Sequence, residues 1–208
     1  MNHLEKRIFP LNKVMLITRP GPNLLEHVMA ALAGGVGVVQ LRDKTATDAE
    51  FLRIAQQLMP LTQSYNVPLI INDRISIACH LGLGLHVGLR DTPPQEARRL
   101  LGPKALLGLT IHDKVERIIQ SNDWIDYVGC GPVFQTDTKL DSSSVIGLSA
   151  LSRVCTLSSK PVVAIGGITP HNSKFVWKNG ARGIAACGSI FDADDLGLAV
   201  RLLSKSVL

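Results

Sequence analysis

The sequence is poor in aromatic residues, and it lacks the long apolar runs and dense positive clusters typical of membrane and nucleic-acid-binding proteins. Aromatic residues make up only 4% of the 208 residues, so a large core has to be built from aliphatic side chains. No apolar run approaches the roughly 20 residues that cross a bilayer. The net charge of +5 attracts anions, but the Lys and Arg residues are scattered and no aromatic side chains alternate with them. We therefore expect neither a membrane nor a nucleic-acid partner.

Cysteine is also scarce, and its spacing excludes the common metal and redox motifs. The four cysteines, Cys79, Cys130, Cys155 and Cys187, form no Cys-x-x-Cys pair and no cluster with zinc spacing. We expect reduced, mostly buried thiols. Residues 1–11 lack the apolar segment of a signal peptide, which predicts a cytoplasmic protein.

Eight short apolar runs alternate with segments of helical periodicity along the chain. Several runs are continuously apolar, as is typical of parallel strands covered on both faces. Helices are predicted at 23–33, 48–63 and 94–101. An open doubly wound sheet shares this pattern, but the count of eight favours an α/β fold of the (β/α)8 TIM-barrel type. We expect one compact domain, 1–208, with 1–12 as an N-terminal extension. The predicted strands are 14–18, 37–42, 68–71, 84–87, 106–110, 124–128, 161–165 and 183–186.

Polar residues or glycines follow seven of these eight runs, at the end of the barrel where such enzymes place their active sites. After the second run, Arg42 and Lys44 stand two residues apart, so both would point to one side if the strand register continues. A guanidinium and an ammonium in that arrangement suit phosphate oxygens. The alternative is a solvated surface pair.

Asp73 and Asp91 follow the third and fourth runs, which are neighbours in a barrel. Two carboxylates brought together can share a Mg²⁺ ion that also accepts phosphate oxygens. As alternatives, Asp73 could cap a helix, Asp91 could stabilise a turn, or the two could serve as general acid and base.

Glycine-containing turns and a hydroxyl-rich loop provide candidate anion sites. Gly166-Gly167 and Cys187-Gly188 follow the last two runs, where phosphate sites of such barrels commonly lie. The loop from Thr136 to Lys139 offers hydroxyls and a cation, although it could be an ordinary polar turn. His112 could be an acid–base group or a structural residue, and His86, inside a predicted strand, is expected to be structural.

The chain resembles the thiamine-phosphate synthase family from about Val14 to Ile190, through several motifs in the family's order. These motifs are Gln40-Leu41-Arg42-Asp43-Lys44, Ile71-Asn72-Asp73-Arg74, Gly84-Leu85-His86-Val87-Gly88, Gly131-Pro132-Val133-Phe134, Thr136-Asp137-Thr138-Lys139 and Ala164-Ile165-Gly166-Gly167-Ile168.

The resemblance implies a transferase that condenses hydroxymethylpyrimidine diphosphate with hydroxyethylthiazole phosphate, or its carboxylated form, to give thiamine phosphate and diphosphate. It implies small phosphorylated substrates, Mg²⁺ on Asp73 and Asp91, and charge neutralisation of the leaving diphosphate by Arg42, Lys44 and Lys139. If the chain self-associates, a homodimer is expected. The residues implied to bind substrate are Gln40, Leu41, Arg42, Asp43, Lys44, Asn72, Thr110, Thr136, Asp137, Thr138, Lys139, Gly167, Cys187 and Gly188.

The sequence departs from the family's pattern at several positions near this site, which are Arg19, Leu89, Thr110, Gln135 and the Cys187-Gly188 pair. Two other functions therefore stand beside the synthase: a thiazole tautomerase-like paralogue and a non-catalytic protein that binds phosphorylated ligands. Tautomerases tend to lack the metal-binding aspartate and the Thr-x-Thr-Lys loop, and both are present here, so the sequence favours the synthase.

Overall fold

Eight parallel strands close into a barrel in which each strand pairs with the next and β8 pairs with β1. A computed structural model describes residues 9–11, 13–116, 121, 123–136 and 144–204. The predicted (β/α)8 fold is confirmed. The strands are β1 (Lys13–Ile17), β2 (Val38–Leu41), β3 (Leu69–Asn72), β4 (Gly84–Val87), β5 (Leu107–Thr110), β6 (Tyr127–Cys130), β7 (Val162–Ile165) and β8 (Gly183–Ala186).

Helices follow the strands and cover the outside of the barrel. Local signals set their ends: Thr47 and Glu50 form a capping box at the start of α2, Pro94 opens α4, and Gly82, in the left-handed conformation with φ of 65°, ends α3. In the described residues the helices are α1 (Leu24–Ala33), α2 (Asp48–Ser64), α3 (Ile75–Leu81), α4 (Pro94–Leu101), α5 (Gly147–Leu157), α6 (Ser173–Lys178), α7 (Gly188–Phe191) and α8 (Leu196–Ser204).

Side chains alternate between two separate cores along each strand. The larger core lies between sheet and helices, and Val39, Leu41 and Leu85 are among its fully buried members. The smaller core fills the barrel interior and includes Met15, Val38, Ile70, Tyr127 and Val163. The barrel is therefore a packed body, and ligands are accommodated only at its ends.

The predicted strands agree with the observed ones to within about two residues, except the sixth. Its predicted span, 124–128, begins three residues before β6. The backbone N–H groups of Trp124 and Ile125 donate to the Ser121 carbonyl, so this segment is a turn that leads into the strand. An apolar run marks burial, but it does not distinguish a buried turn from the strand that follows.

No helix in the described part of the chain is long and apolar enough to cross a membrane. The four cysteines are free, and only Cys79 is exposed. Burial raises the pKa of Cys130 to about 12 and that of Cys155 to about 11.

These environments predict selective thiol chemistry. Alkylation at pH 8 should modify Cys79 quickly and the other three cysteines slowly, because a buried neutral thiol is both inaccessible and a poor nucleophile. Mass spectrometry of the native protein should find one modified cysteine at early times and four after denaturation. Rapid modification of Cys130 in the folded protein would contradict the described core.

Candidate active site

The polar side chains of the barrel interior collect at the carboxyl ends of the strands. Gln40, Asn72 and His86 are between 4% and 9% exposed, and Thr110 at the end of β5 is half-buried. Parallel strands bring these ends to one face, so residues separated by up to 70 positions in the chain share one opening.

Thr18 anchors the loop that carries Arg42. The Thr18 hydroxyl accepts a hydrogen bond from the Arg42 N–H at 2.8 Å and donates to the Arg42 carbonyl at 3.3 Å. Thr18 is 2% exposed, so a buried hydroxyl holds the backbone of Arg42 at the rim of the barrel.

We expect Thr18→Val, which keeps the shape but removes the hydroxyl, to lower the free energy of unfolding by about 1–3 kcal/mol, because two buried backbone groups lose their partner. If Arg42 binds the pyrimidine diphosphate, as the resemblance implies, the KM for that substrate should also rise as Arg42 loses its anchor. Chemical denaturation and steady-state kinetics measure both effects. Thr18→Ser is the control, and a Val variant that matches it in KM would show that the anchor does not position Arg42.

Asp43 stabilises the turn after β2. Its Oδ1 accepts from the Thr45 N–H and hydroxyl, each at 2.8 Å, and from the Ala46 N–H at 3.0 Å. Burial alone would raise the pKa of Asp43, but these hydrogen bonds outweigh burial and hold the pKa below its usual value. Its carboxylate shapes the loop between Arg42 and α2.

Arg74 holds the same loop from the β3 side. Its guanidinium pairs with Asp48, donates to the carbonyls of Asp43 and Ala46, and lies over the Phe51 ring at 4.5 Å. Such a planar, multiply bonded guanidinium joins the loops after β2 and β3 into one rigid unit.

Lys44, Asp73 and Asp91 form a charged cluster at the rim. The Lys44 ammonium pairs with Asp73, and the Asp73 and Asp91 carboxyl groups lie against each other. The Gly88 N–H donates to Asp91 Oδ2 at 2.7 Å. Burial, followed by the neighbouring Asp73, raises the pKa of Asp91.

The two proposed structural roles for these carboxylates fare differently. Asp73 is not a helix cap, because Arg74 occupies the N-cap position of α3 without a side-chain cap. Asp91 does stabilise a turn, and it faces Asp73 as well. Asp73 has φ of 62°, a left-handed conformation that Asp and Asn adopt more readily than other non-glycine residues.

The cluster fits a hard divalent cation in chemistry. A divalent ion would offset the repulsion between the adjoining carboxylates, and Mg²⁺ typically takes only one or two protein carboxylates, with water and substrate phosphates completing its shell. No group of three or more acidic, His or Cys side chains in the described ranges could hold a metal ion.

The glycines after β7 allow two loops to approach closely. Gly167 has φ of 61°, and a Cβ there would lie 2.2 Å from the Gln135 carbonyl oxygen. A Cβ at Gly166 would lie 2.4 Å from Pro132 Cβ. Contact between the β6 and β7 loops thus requires these glycines, a reason that the sequence did not reveal.

The end of β8 lies near positive charge. Cys187 immediately precedes α7, and burial raises the pKa of its thiol although the charges of Arg19 and Arg42 oppose that shift. Arg19 also pairs with Asp192 at 2.6 Å and lies over the Phe191 ring at 5.3 Å. The ends of β1 and β2, which carry Arg19 and Arg42, therefore present guanidinium groups near the Cys187-Gly188 turn at the end of β8.

The remaining predicted residues divide into three groups. His112 makes a structural contact, a hydrogen bond of 2.8 Å between its Nδ1 and the Gly131 carbonyl. Thr136 is half-buried and is the last described residue before position 144. The predictions for Asp137, Thr138 and Lys139 lie outside the described residues.

The opposite end of the barrel carries a cleft of about 550 Å³, which is larger than the cavity of about 160 Å³ beside Gly88 and Asp91 at the rim. Pro10, Met59 and Leu81 are among the described residues that line it, and none of its lining side chains is charged. Its described lining residues offer no cation to receive a phosphate, and the cleft lies at the amino ends of the strands, opposite the end where barrel enzymes place their active sites.

Comparisons with known proteins identify the family of the chain. A family model described as thiamine monophosphate synthase matches residues 14–190. The thiamine-phosphate synthase of Chloroflexus aurantiacus is 42% identical over 181 residues, which cover 86% of this chain and 83% of that protein. A thiamine-phosphate synthase of Clostridium botulinum is 38% identical over 184 residues, which cover 88% of this chain and 90% of that protein.

The solved structures extend the likeness to three dimensions. The thiamine phosphate pyrophosphorylase of Pyrococcus furiosus matches with a TM-score of 0.82 and 32% identity, over 94% of this chain and 95% of that one. A 3-hexulose-6-phosphate synthase, at 18% identity and a TM-score of 0.68, shares the fold alone. The tautomerase-like and non-catalytic alternatives are not favoured by these relatives. The chain belongs to the thiamine monophosphate synthase family, enzymes that use metal ions and join a pyrimidine diphosphate to a thiazole phosphate to form thiamine phosphate.

Proposed function

We propose that the rim formed by the loops after β2, β3 and β4 binds the pyrimidine diphosphate and that Asp73 and Asp91 hold Mg²⁺ there. The observation that supports this most directly is the cluster in which two adjoining carboxylates and the Lys44 ammonium face one opening. When bound, the cation would neutralise negative charge on the diphosphate.

The second phosphate site is proposed at the ends of β7 and β8. Gly167 and Gly188 bring backbone without side chains to the rim, and Arg19 and Arg42 add positive charge beside Cys187. Thr136, at the end of the described β6 loop, adjoins this side, and Thr138 and Lys139 complete the proposed set. The thiazole phosphate would bind here.

The proposed residues act by binding and by charge neutralisation. The C–O bond to diphosphate breaks, the electron-rich pyrimidine ring stabilises the cationic carbon that is left, and the thiazole nitrogen attacks that carbon to form the C–N bond. Arg42, Lys44 and Lys139 would hold the leaving diphosphate, and Asn72 and Thr110 would donate hydrogen bonds to it. Gln40 lies where β2 meets the opening, whereas Leu41 could contribute only its backbone, because its side chain is buried in the larger core. Asp43 stabilises the turn that carries Lys44. No nucleophilic side chain is needed.

The test is thiamine phosphate formation from the two substrates in metal-free buffer, with Mg²⁺, Mn²⁺ or Ca²⁺ added in turn. We expect product with Mg²⁺ and little without metal, because two carboxylates with phosphate oxygens match its preference for oxygen ligands. Full activity in EDTA would refute the metal proposal and leave the substrate proposal standing.

Two further expectations concern the cell. We propose a cytoplasmic enzyme that acts as a homodimer, because the exposed Met29, Leu198 and Leu202 on α1 and α8 offer apolar surface to a second copy. Sedimentation of the purified protein distinguishes dimer from monomer. A Leu198→Glu variant should shift the equilibrium toward monomer, and an unchanged sedimentation coefficient would exclude this face.

A further inference from the structure

A chain of polar side chains runs through the barrel interior beneath the proposed diphosphate site. Tyr127 is fully buried, and its hydroxyl lies 2.8 Å from His86 Nδ1. His86 Nε2 lies 2.7 Å from the Thr110 hydroxyl. The Gln40 side chain, whose Nε2 donates to Met15 Sδ at 3.6 Å, lies close enough to the Tyr127 hydroxyl to act on it as a donor. The four side chains belong to β2, β4, β5 and β6.

The backbone makes room for this chain at two places. A Cβ at Gly108 would lie 2.1 Å from Tyr127 Cζ and 2.4 Å from its hydroxyl oxygen. A Cβ at Gly129 would lie 3.2 Å from His86 Cε1 and 3.3 Å from the Thr110 hydroxyl. Gly108 and Gly129 stand at strand positions where a side chain would normally fill the barrel interior, and here they leave that space to the polar side chains.

Packing of the barrel interior alone would not require these polar side chains. Apolar side chains of the same volume would pack the interior without the cost of burying hydroxyl, imidazole and amide groups. The chain also ends in an informative place, because Thr110 is its one half-buried member and stands at the carboxyl end of β5.

The direction of the hydrogen bonds in this chain of side chains follows from the groups at its two ends, the ligand at Thr110 and the amide of Gln40. A phosphate oxygen accepts hydrogen bonds, so Thr110 must keep its hydroxyl proton for the ligand and accept from His86 Nε2–H. His86 Nδ1 then has to accept from the Tyr127 O–H, and the Tyr127 oxygen accepts from the Gln40 amide. All three contacts are satisfied in this single direction.

We propose that Tyr127 and His86 are positioning residues that hold the Thr110 hydroxyl as a donor to the diphosphate and link it to Gln40. This inference rests on the proposed diphosphate site. Neither residue touches the reacting atoms, and no proton has to move through the chain during the reaction. Tyr127 holds the imidazole in the Nε2–H tautomer, and His86 holds the hydroxyl.

The experiment is a double-mutant cycle with inorganic diphosphate and Mg²⁺ as the probe, followed by calorimetry. Thr110→Ala should weaken diphosphate binding about ten-fold or more through loss of a hydrogen bond to a charged group. Tyr127→Phe should weaken it by a smaller factor. The double variant should bind no more weakly than Thr110→Ala, because Tyr127 acts through Thr110. Additive losses, or unchanged binding in a folded Tyr127→Phe variant, would overturn the proposal.

Two controls separate positioning from stability and from the substrate assignment. Phe9→Leu loosens the packing on Tyr127, whose ring lies 4.6 Å away, without removing a hydrogen bond, so it should lower Tm and leave diphosphate affinity unchanged.

The ¹⁵N spectrum of His86 should show the Nε2–H tautomer in the parent and a mixture in Tyr127→Phe. An Nδ1–H tautomer in the diphosphate-bound parent would overturn the proposal. Failure of the parent to bind diphosphate, with the tautomer as expected, would instead count against the proposed site.

Discussion

An Asp73→Asn variant should fold like the parent and form thiamine phosphate about 10²–10³-fold more slowly, the loss typical of removing one electrostatic contact in an active site. The substitution removes a negative charge that faces Asp91 and Lys44. The proposed cation then loses one of its two carboxylates, and Lys44 loses its partner. Asn adopts the left-handed conformation of this position as readily as Asp, so the fold should not be strained.

The measurement is kcat at saturating Mg²⁺ together with the thermal midpoint of unfolding. The matched control is Asp123→Asn, because Asp123 is exposed and precedes β6 at the opposite end of the barrel. This control should retain parental kcat. An Asp73→Asn variant with parental kcat would show that Asp73 does not bind the metal. A large decrease in the thermal midpoint of unfolding would show instead that the residue is structural.

A Gly108→Ala variant should lose about 3 kcal/mol of stability or fail to fold, at the upper end of the usual cost of overpacking. The added methyl group would stand 2.1 Å from Tyr127 Cζ. Tyr127 cannot yield easily, because it is fully buried and packs against Phe9 at its other face. Urea denaturation followed by circular dichroism measures the loss.

Gly21→Ala provides the matched control, because a Cβ at Gly21 would have no heavy atom within 4 Å. It should change stability by less than about 0.5 kcal/mol. The variant Gly108→Ala/Tyr127→Leu should be less unstable than the sum of its single changes, since the ring that causes the clash is gone. Additive losses in the free energy of unfolding would mean that the added methyl group does not clash with the Tyr127 ring.

The sequence was sufficient to predict the barrel, and the location of its chemistry follows from the barrel as a proposal. Continuous apolar runs at eight regular positions are a strong signal of buried parallel strands, and the fold then dictates that residues such as Arg42 and Asp73 meet at one end. The resemblance to a known family supplied the substrate classes, which spacing alone left open.

The interior contacts could not be predicted in the same way. Sequence shows that His86 and Tyr127 occupy strands, but only the stagger between strands places one hydroxyl beside one imidazole. The need for Gly108 and Gly167 arises from residues distant in the chain. Thr18 and Arg74 were not singled out, because a threonine in an apolar run and an arginine beside a turn carry no distinctive pattern.

Closure of the barrel has a consequence for how damaged variants fail. Each of the eight described strands is paired on both sides, so the barrel formed by the described residues presents no open strand edge to a neighbouring molecule. Breaking the hydrogen bonds between any two neighbouring strands creates two such edges at once, each with unpaired N–H and C=O groups along about four residues. Destabilised variants should therefore be lost to concentration-dependent aggregation before they accumulate as soluble unfolded chains.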